Sequence, residues 1–219
     1  MYVHLHGGGF AFGTLASEDA GCSRTVVSRA EKGTPVVVFN LNYRHTPEHR
    51  FPVAWEDVED GFVWLHEHIA EIGGIPDQVV VGGVSAGGQL TAALTLTQLY
   101  GDNKKLSACP KIRGQVLMIP NLVQLEYYAP RQELLRSPEV SSLVQCAEAP
   151  MLPISQIELF SRLLNVPETP GAARNLRSNP GNATSDEVKN LPPTTFGIAG
   201  NDPLRDQALF FAKHLHENG

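Results

Sequence analysis

Cysteine is scarce in this chain. The three present, Cys22, Cys109 and Cys146, are odd in number and widely scattered, which excludes a disulfide framework and a metal site built on short Cys spacings. A reducing, cytoplasmic compartment is the expectation. No stretch reaches the roughly 18 to 20 consecutive apolar residues of a membrane span, and Met1-Tyr2-Val3-His4-Leu5-His6 lacks the cationic segment, apolar run and cleavage site of a signal peptide. Positive charge is short as well: 17 Lys and Arg stand against 23 Asp and Glu, a formal net charge of -6, with no basic cluster long enough to track phosphates. Nucleic acid is therefore excluded as the expected partner. A neutral or lipophilic small molecule fits better. Asn182-Ala183-Thr184 matches a glycosylation acceptor, a pattern too frequent by chance to carry weight.

What is present is a core. With 42% hydrophobic and 18% charged residues in 219, the chain is long enough for one large globular domain over 1–219. Short, β-branched apolar runs recur at Tyr2 to Leu5, Val36 to Leu41, Val79 to Val81, Gln115 to Ile119 and Thr194 to Ile198. Several are nearly continuously hydrophobic, the mark of strands buried on both faces. Helical patterns fall between them at Glu18 to Ala30, Val53 to Ile72, Ala86 to Tyr100 and Leu204 to Leu215, the second with Trp55, Val58, Phe62, Leu65 and Ile69 at steps of three and four. This alternation predicts an α/β fold, a mostly parallel sheet flanked by helices. Residues 121–191 break the rhythm, rich in Pro, Ser and Asn with one clear helix at Ser155 to Leu164. They read as an irregular excursion at the carboxyl edge of the sheet, where binding sites form.

Two glycine-rich turns carry the chemistry. Gly83-Val84-Ser85-Ala86-Gly87 follows the third strand run and opens a helical pattern, placing Ser85 on a tight strand-to-helix turn where a weak nucleophile is exposed. Composition alone yields roughly 0.1 such pentapeptide by chance, so its position is what strengthens it. The plainer role is that Ser85 caps the helix. Capping does not require the four glycines at 82, 83, 87 and 88. His6-Gly7-Gly8-Gly9 is rarer, with roughly 0.006 expected by chance. Its glycines let amide N–H groups face a developing oxyanion, and Gly8 and Gly9, with Ala86 as third donor, are the candidates. His6 is assigned to orienting the loop. Phosphate binding fails on inspection: Phe12 stands where a dinucleotide fingerprint needs its last glycine, and Gly82 to Gly88 lacks a P-loop Lys. No cofactor or metal is expected.

Asp202 follows the last strand run and precedes Pro203. As an N-cap it would contribute about 1 kcal/mol, but it also lies at the edge that carries Ser85, in the chain order Ser then Asp of α/β-hydrolases. Asp206, one helical turn on, is the weaker candidate.

These motifs, with Tyr43-Arg44-His45-Thr46-Pro47-Glu48-His49-Arg50-Phe51-Pro52, Ala54 and Asp57, resemble the hormone-sensitive-lipase-like branch of the α/β-hydrolase fold, fold-3. The resemblance covers nearly all of the chain. It implies Ser85 as nucleophile, Gly8, Gly9 and Ala86 as oxyanion hole, Asp202 as the acid that orients a histidine, and a sheet order 4-3-5-6-7 in the family's strand count. It also implies an incomplete fold, with N-terminal strands and cap before Met1 and a last strand with its histidine after Gly219. In the segment of residues 43–52, Arg44 and Glu48 are expected to pair.

None of His45, His49, His66, His68, His214 or His216 is placed to act as proton shuttle, and solvated surface is expected for most. The expectation is thus a carboxylic ester hydrolase by family and site, acting on a small, fairly apolar ester and weak as this chain. The alternative is a non-catalytic small-molecule binding protein of the same fold.

Overall fold

Each short apolar run forms a strand, and all residues 1–219 are described in the computed structural model. The strands are β1 (Tyr2–Leu5), β2 (Val38–Leu41), β3 (Val80–Val84), β4 (Gly114–Met118) and β5 (Thr194–Gly197). The first three helices are α1 (Asp19–Glu31), α2 (Val53–His68) and α3 (Ala86–Tyr100). Then come α4 (Lys104–Ala108), α5 (Ala129–Gln132), α6 (Ser142–Gln145), α7 (Ile154–Leu164), α8 (Ser185–Val188) and α9 (Arg205–Asn218). No helix is long and apolar enough to cross a membrane.

All strand pairs are parallel, in the order β2-β1-β3-β4-β5, the order expected from the resemblance. The chain leaves β1 toward one edge and returns to build the other, so β1 and β3 flank the point where the strand order reverses. Loops at the carboxyl ends of such a pair splay apart and leave a crevice. Leu5 pairs with Gly83. That register brings the His6 and Ser85 turns side by side although 79 positions separate them in sequence.

Helix α3 runs against the sheet between two cores, which is why every residue from Ala86 to Gln98 is buried. Leu90, Ala93 and Leu94 join Val3, Leu5, Val81, Trp55, Phe62 and Leu65 on one side. Ala92 and Leu96 join Leu117, Leu122, Tyr128, Val188 and Phe211 on the other. The excursion is irregular yet supplies part of this second core, since Leu122, Val123, Tyr128 and Val188 are fully buried.

Several boundaries differ from the sequence pattern. Helix α2 stops at His68 rather than Ile72, because Gly73 adopts φ 75° and the Gly74 amide donates to Ile69 O at 2.8 Å, closing the helix end. Strand β3 continues through Gly82 and Gly83 to Val84, held by β1 and β4 on both sides.

The Arg44–Glu48 pair does not form. The Arg44 guanidinium binds Asp57 at 2.7 Å, and the Arg44 amide donates to the same carboxylate at 2.8 Å, so Asp57 on α2 fastens the segment with both a charge and a backbone bond. His66 also departs from the solvated surface expected. Its ring packs edge-on to Phe62, with centroids 4.7 Å apart, and neither ring nitrogen has a partner.

Candidate active site

The Ser85 turn is built by close packing of backbone on backbone. A β-carbon on Gly87 would lie 2.0 Å from Leu5 O, and one on Gly83 would lie 2.3 Å from the Gly87 carbonyl. Only glycine lets the start of α3 approach the end of β1 this closely. Between them Ser85 takes φ 54° and ψ -112°, a conformation that costs a non-glycine residue on the order of 1–3 kcal/mol. Its amide donates to Met118 O at 2.8 Å and its carbonyl accepts from Gln89 at 3.0 Å, fixing the strained residue at both ends. The hydroxyl makes no capping bond to α3, so helix capping does not account for this serine.

The glycine turn after β1 is equally pinned. His6 is fully buried; its Nε2 pairs with the Asn42 side chain at 2.8 Å and its Nδ1 with Gly7 O at 2.7 Å. Its ring stacks on Tyr43 with centroids 4.4 Å apart, and the Tyr43 hydroxyl donates to His6 O at 2.8 Å. Burial pushes that phenol up, so it remains a donor. Past Gly8, at φ 122°, the chain turns back, with Ala11 and Phe12 amides donating to Gly8 O. The amides of Gly8 and Gly9 find no acceptor within the protein. That of Ala86 heads α3, where no intrahelical acceptor exists.

Gly9, Ser85 and Ala86 line one narrow cleft. Phe10, Leu125, Ile157, Phe160 and Leu164 make its walls apolar, and Asn121, Gln124 and Ser161 add polar groups. Gly8 directly precedes Gly9 in the same loop. Asp202 does not line the cleft, but Leu204 does, and Asp202 Oδ1 holds the Leu204 amide at 2.8 Å. Asp202 is only 6% exposed. Burial raises its pKa, and the Leu204 amide offsets this only in part. Asp206 is committed elsewhere: its carboxylate accepts from the Ser142 amide at 2.6 Å and from Arg205 at 3.0 Å, tying the excursion to α9. None of the eight histidines is among the residues lining the cleft.

Two residues here carry no signal in the sequence. Phe160, on α7, leans over Gly9. Glu18, at the entrance to α1, accepts the Gly7 amide at 2.9 Å and also contacts His4. Nothing short of the folded loop relates either residue to the glycines.

A five-stranded parallel sheet with a serine on a strained strand-to-helix turn and a glycine loop beside it defines an α/β hydrolase. The chain belongs to the alpha/beta hydrolase fold-3 family, the hormone-sensitive-lipase-like branch, with the family model of that fold matching residues 2–219. It is 31% identical over 225 residues to the esterase LipI of Mycobacterium tuberculosis, covering 100% of this chain and 60% of that protein. It is 30% identical to an arylesterase of Saccharolobus solfataricus, covering 100% of this chain and 63% of that one. Among solved structures, an esterase of Pyrobaculum calidifontis superposes with a TM-score of 0.78 at 29% identity, over 100% of this chain and 63% of that chain. The chain thus spans about three fifths of the length of the curated relatives it matches.

Proposed function

We propose that this chain carries the nucleophile, oxyanion donors and acid of a carboxylic ester hydrolase, with a small or medium, fairly apolar ester as substrate. The observation that carries the reading is the uncapped hydroxyl of Ser85, held at φ 54° in one cleft with Gly9 and Ala86. Ser85 Oγ attacks the ester carbonyl carbon, and the amides of Gly8, Gly9 and Ala86 receive the charge that develops on the carbonyl oxygen. Collapse of the tetrahedral intermediate expels the alcohol, and water then releases the acid from the acyl-serine. Asp202 is the acid that would orient a histidine, because one of its oxygens is held by Leu204 and the other carries no hydrogen bond. The esterases among its relatives support the same reaction class. The three unpaired cysteines accord with a reducing, cytoplasmic setting.

Both attack and alcohol departure need a proton shuttle. Since no histidine lines the cleft, the 219-residue chain turns esters over slowly, keeping roughly 10³ to 10⁴ over water from the oxyanion donors and binding. That same observation favours a second reading, a binding protein of this fold that holds an apolar ligand without turnover.

Hydrolysis of p-nitrophenyl butyrate by the purified chain and by Ser85→Ala separates these possibilities. Weak turnover lost in Ser85→Ala is the expected result. Turnover unchanged in Ser85→Ala overturns the hydrolase assignment, and saturable ligand binding with no turnover selects the binding protein.

A further inference from the structure

The peptide groups of the glycine loop are fixed one by one. His6 Nδ1 takes the carbonyl of Gly7 at 2.7 Å, and in a planar trans peptide this turns the Gly8 N–H to the opposite side. The peptide before it is fixed differently. There the Gly7 N–H donates to Glu18 Oε1 at 2.9 Å, while Glu18 Oε2 meets His4 Nε2. The loop therefore hangs between a histidine and a carboxylate.

We propose that Glu18 is a positioning residue of the oxyanion loop, holding Gly7 so that the free amides of Gly8 and Gly9 stay aimed at the carbonyl oxygen of a substrate on Ser85. This rests on the proposed hydrolase site. Three features make Glu18 suited to it. First, it is anchored from behind: Asn40 Nδ2 donates to Leu15 O at 2.7 Å, and Thr14 and Ser17 close the turn that leads to it. Second, both carboxylate oxygens are engaged, one by Gly7 and one by His4, so rotation of the side chain loses two bonds. Third, burial disfavours its charge, but the His4 contact and the Gly7 amide outweigh this and hold the carboxyl below its ordinary range.

The carboxylate also explains how three glycines in succession keep one shape. Glycine has the most conformational freedom of any residue, and an acceptor on Gly7 removes that freedom at the point where the loop leaves β1. Gly7 has a second neighbour, Val84 O, which lies 3.1 Å from where its β-carbon would be. A rotation of the 6–7 peptide would thus reach the Ser85 turn as well.

The test compares p-nitrophenyl butyrate hydrolysis by the wild-type chain, Glu18→Ala, Glu18→Gln and Ser85→Ala. Glutamine keeps an acceptor for Gly7 and a polar group for His4. Glu18→Ala is expected to lose at least about tenfold in kcat, as for a misdirected oxyanion donor, with KM nearly unchanged, and Glu18→Gln to recover most of the loss. An unchanged kcat in Glu18→Ala, a loss confined to KM, or no recovery in Glu18→Gln overturns the proposal. Should Ser85→Ala hydrolyse like wild type, the hydrolase reading fails by itself, and the brace is then judged by amide hydrogen exchange at Gly7. Exchange there is expected to quicken roughly tenfold in Glu18→Ala, the equivalent of one net hydrogen bond, but not in Glu18→Gln. Equal Gly7 exchange in wild type and Glu18→Ala refutes the brace.

Discussion

The ring of Phe160 fills the space that a side chain on Gly9 would need: a β-carbon there would lie 2.3 Å from Cδ2 of the ring. Phe160 also packs against Phe12, with centroids 5.7 Å apart, so an aromatic pair covers the glycine loop at the cleft. The ring narrows the space over Ser85. Phe160→Ala is expected to shift kcat/KM toward longer acyl chains, raising the octanoate-to-acetate ratio by about tenfold, the scale of discrimination by one or two methylenes. Competition between the two p-nitrophenyl esters measures the ratio, and an unchanged value would show that the ring does not bound the acyl site.

Gly87 meets backbone on its crowded side, with Leu5 O and His6 O lying 2.0 and 2.6 Å from where its β-carbon would be. Neither can move without breaking the β1–β3 register. Gly87→Ala is expected to destabilise the fold by about 3 kcal/mol or more, at or beyond the upper end of overpacking effects. Gly21 in α1 has nothing within 4 Å, so Gly21→Ala should be neutral or stabilise by roughly 0.5–1 kcal/mol. Urea denaturation of the two variants gives the contrast, and similar midpoints would sink it.

The features written locally were legible before the fold. A short apolar run reads as a buried strand whatever surrounds it, and the glycines around Ser85 announced a turn in which side chains have no room. The β1–β3 adjacency followed from topology, and Leu5 opposite Gly83 is its outcome. Partners chosen in three dimensions were not legible. Arg44 prefers Asp57, 13 positions away, to Glu48 because the first turns of α2 bring that carboxylate to both its amide and its guanidinium. Glu18 finds Gly7 only after the chain past the glycine loop folds back and α1 packs against β2. His66 sits at a helical spacing that fits exposed and half-buried faces alike, and only its packing on Phe62 decides. The excursion defeated periodicity because its core residues lie in or beside one-turn helices too short to show a period, Val188 at the end of α8 and Tyr128 just before α5.

Asp202 holds a buried carboxylate with a single backbone donor, and burial raises its folded pKa above the ordinary value. A raised folded pKa means that its share of stability is present at low pH and is lost as pH rises through the folded value. Near neutrality the charged form is therefore a strain on the fold. Asp202→Asn keeps an acceptor for Leu204 and removes the charge, so the melting temperature should rise at pH 7 and stay unchanged near pH 3, while any ester turnover falls. Melts at the two pH values decide it; an equal or lower Tm at pH 7 would show that the carboxylate is already compensated.

His66 works in the opposite direction. Burial lowers its pKa from the ordinary 6.5, and its unpartnered ring nitrogens offer nothing to stabilise an imidazolium. The unfolded chain therefore binds a proton more readily than the folded one. Stability from the neutral ring is complete above about pH 6.5 and declines as pH falls through the lowered folded value. His66→Leu keeps an apolar contact with Phe62 without a titrating group. Its melting temperature is expected to fall less than that of the wild type between pH 7 and pH 5. Parallel losses in the two proteins over that interval would assign the acid sensitivity elsewhere, to other groups that titrate in this range such as His45, whose pKa burial also lowers.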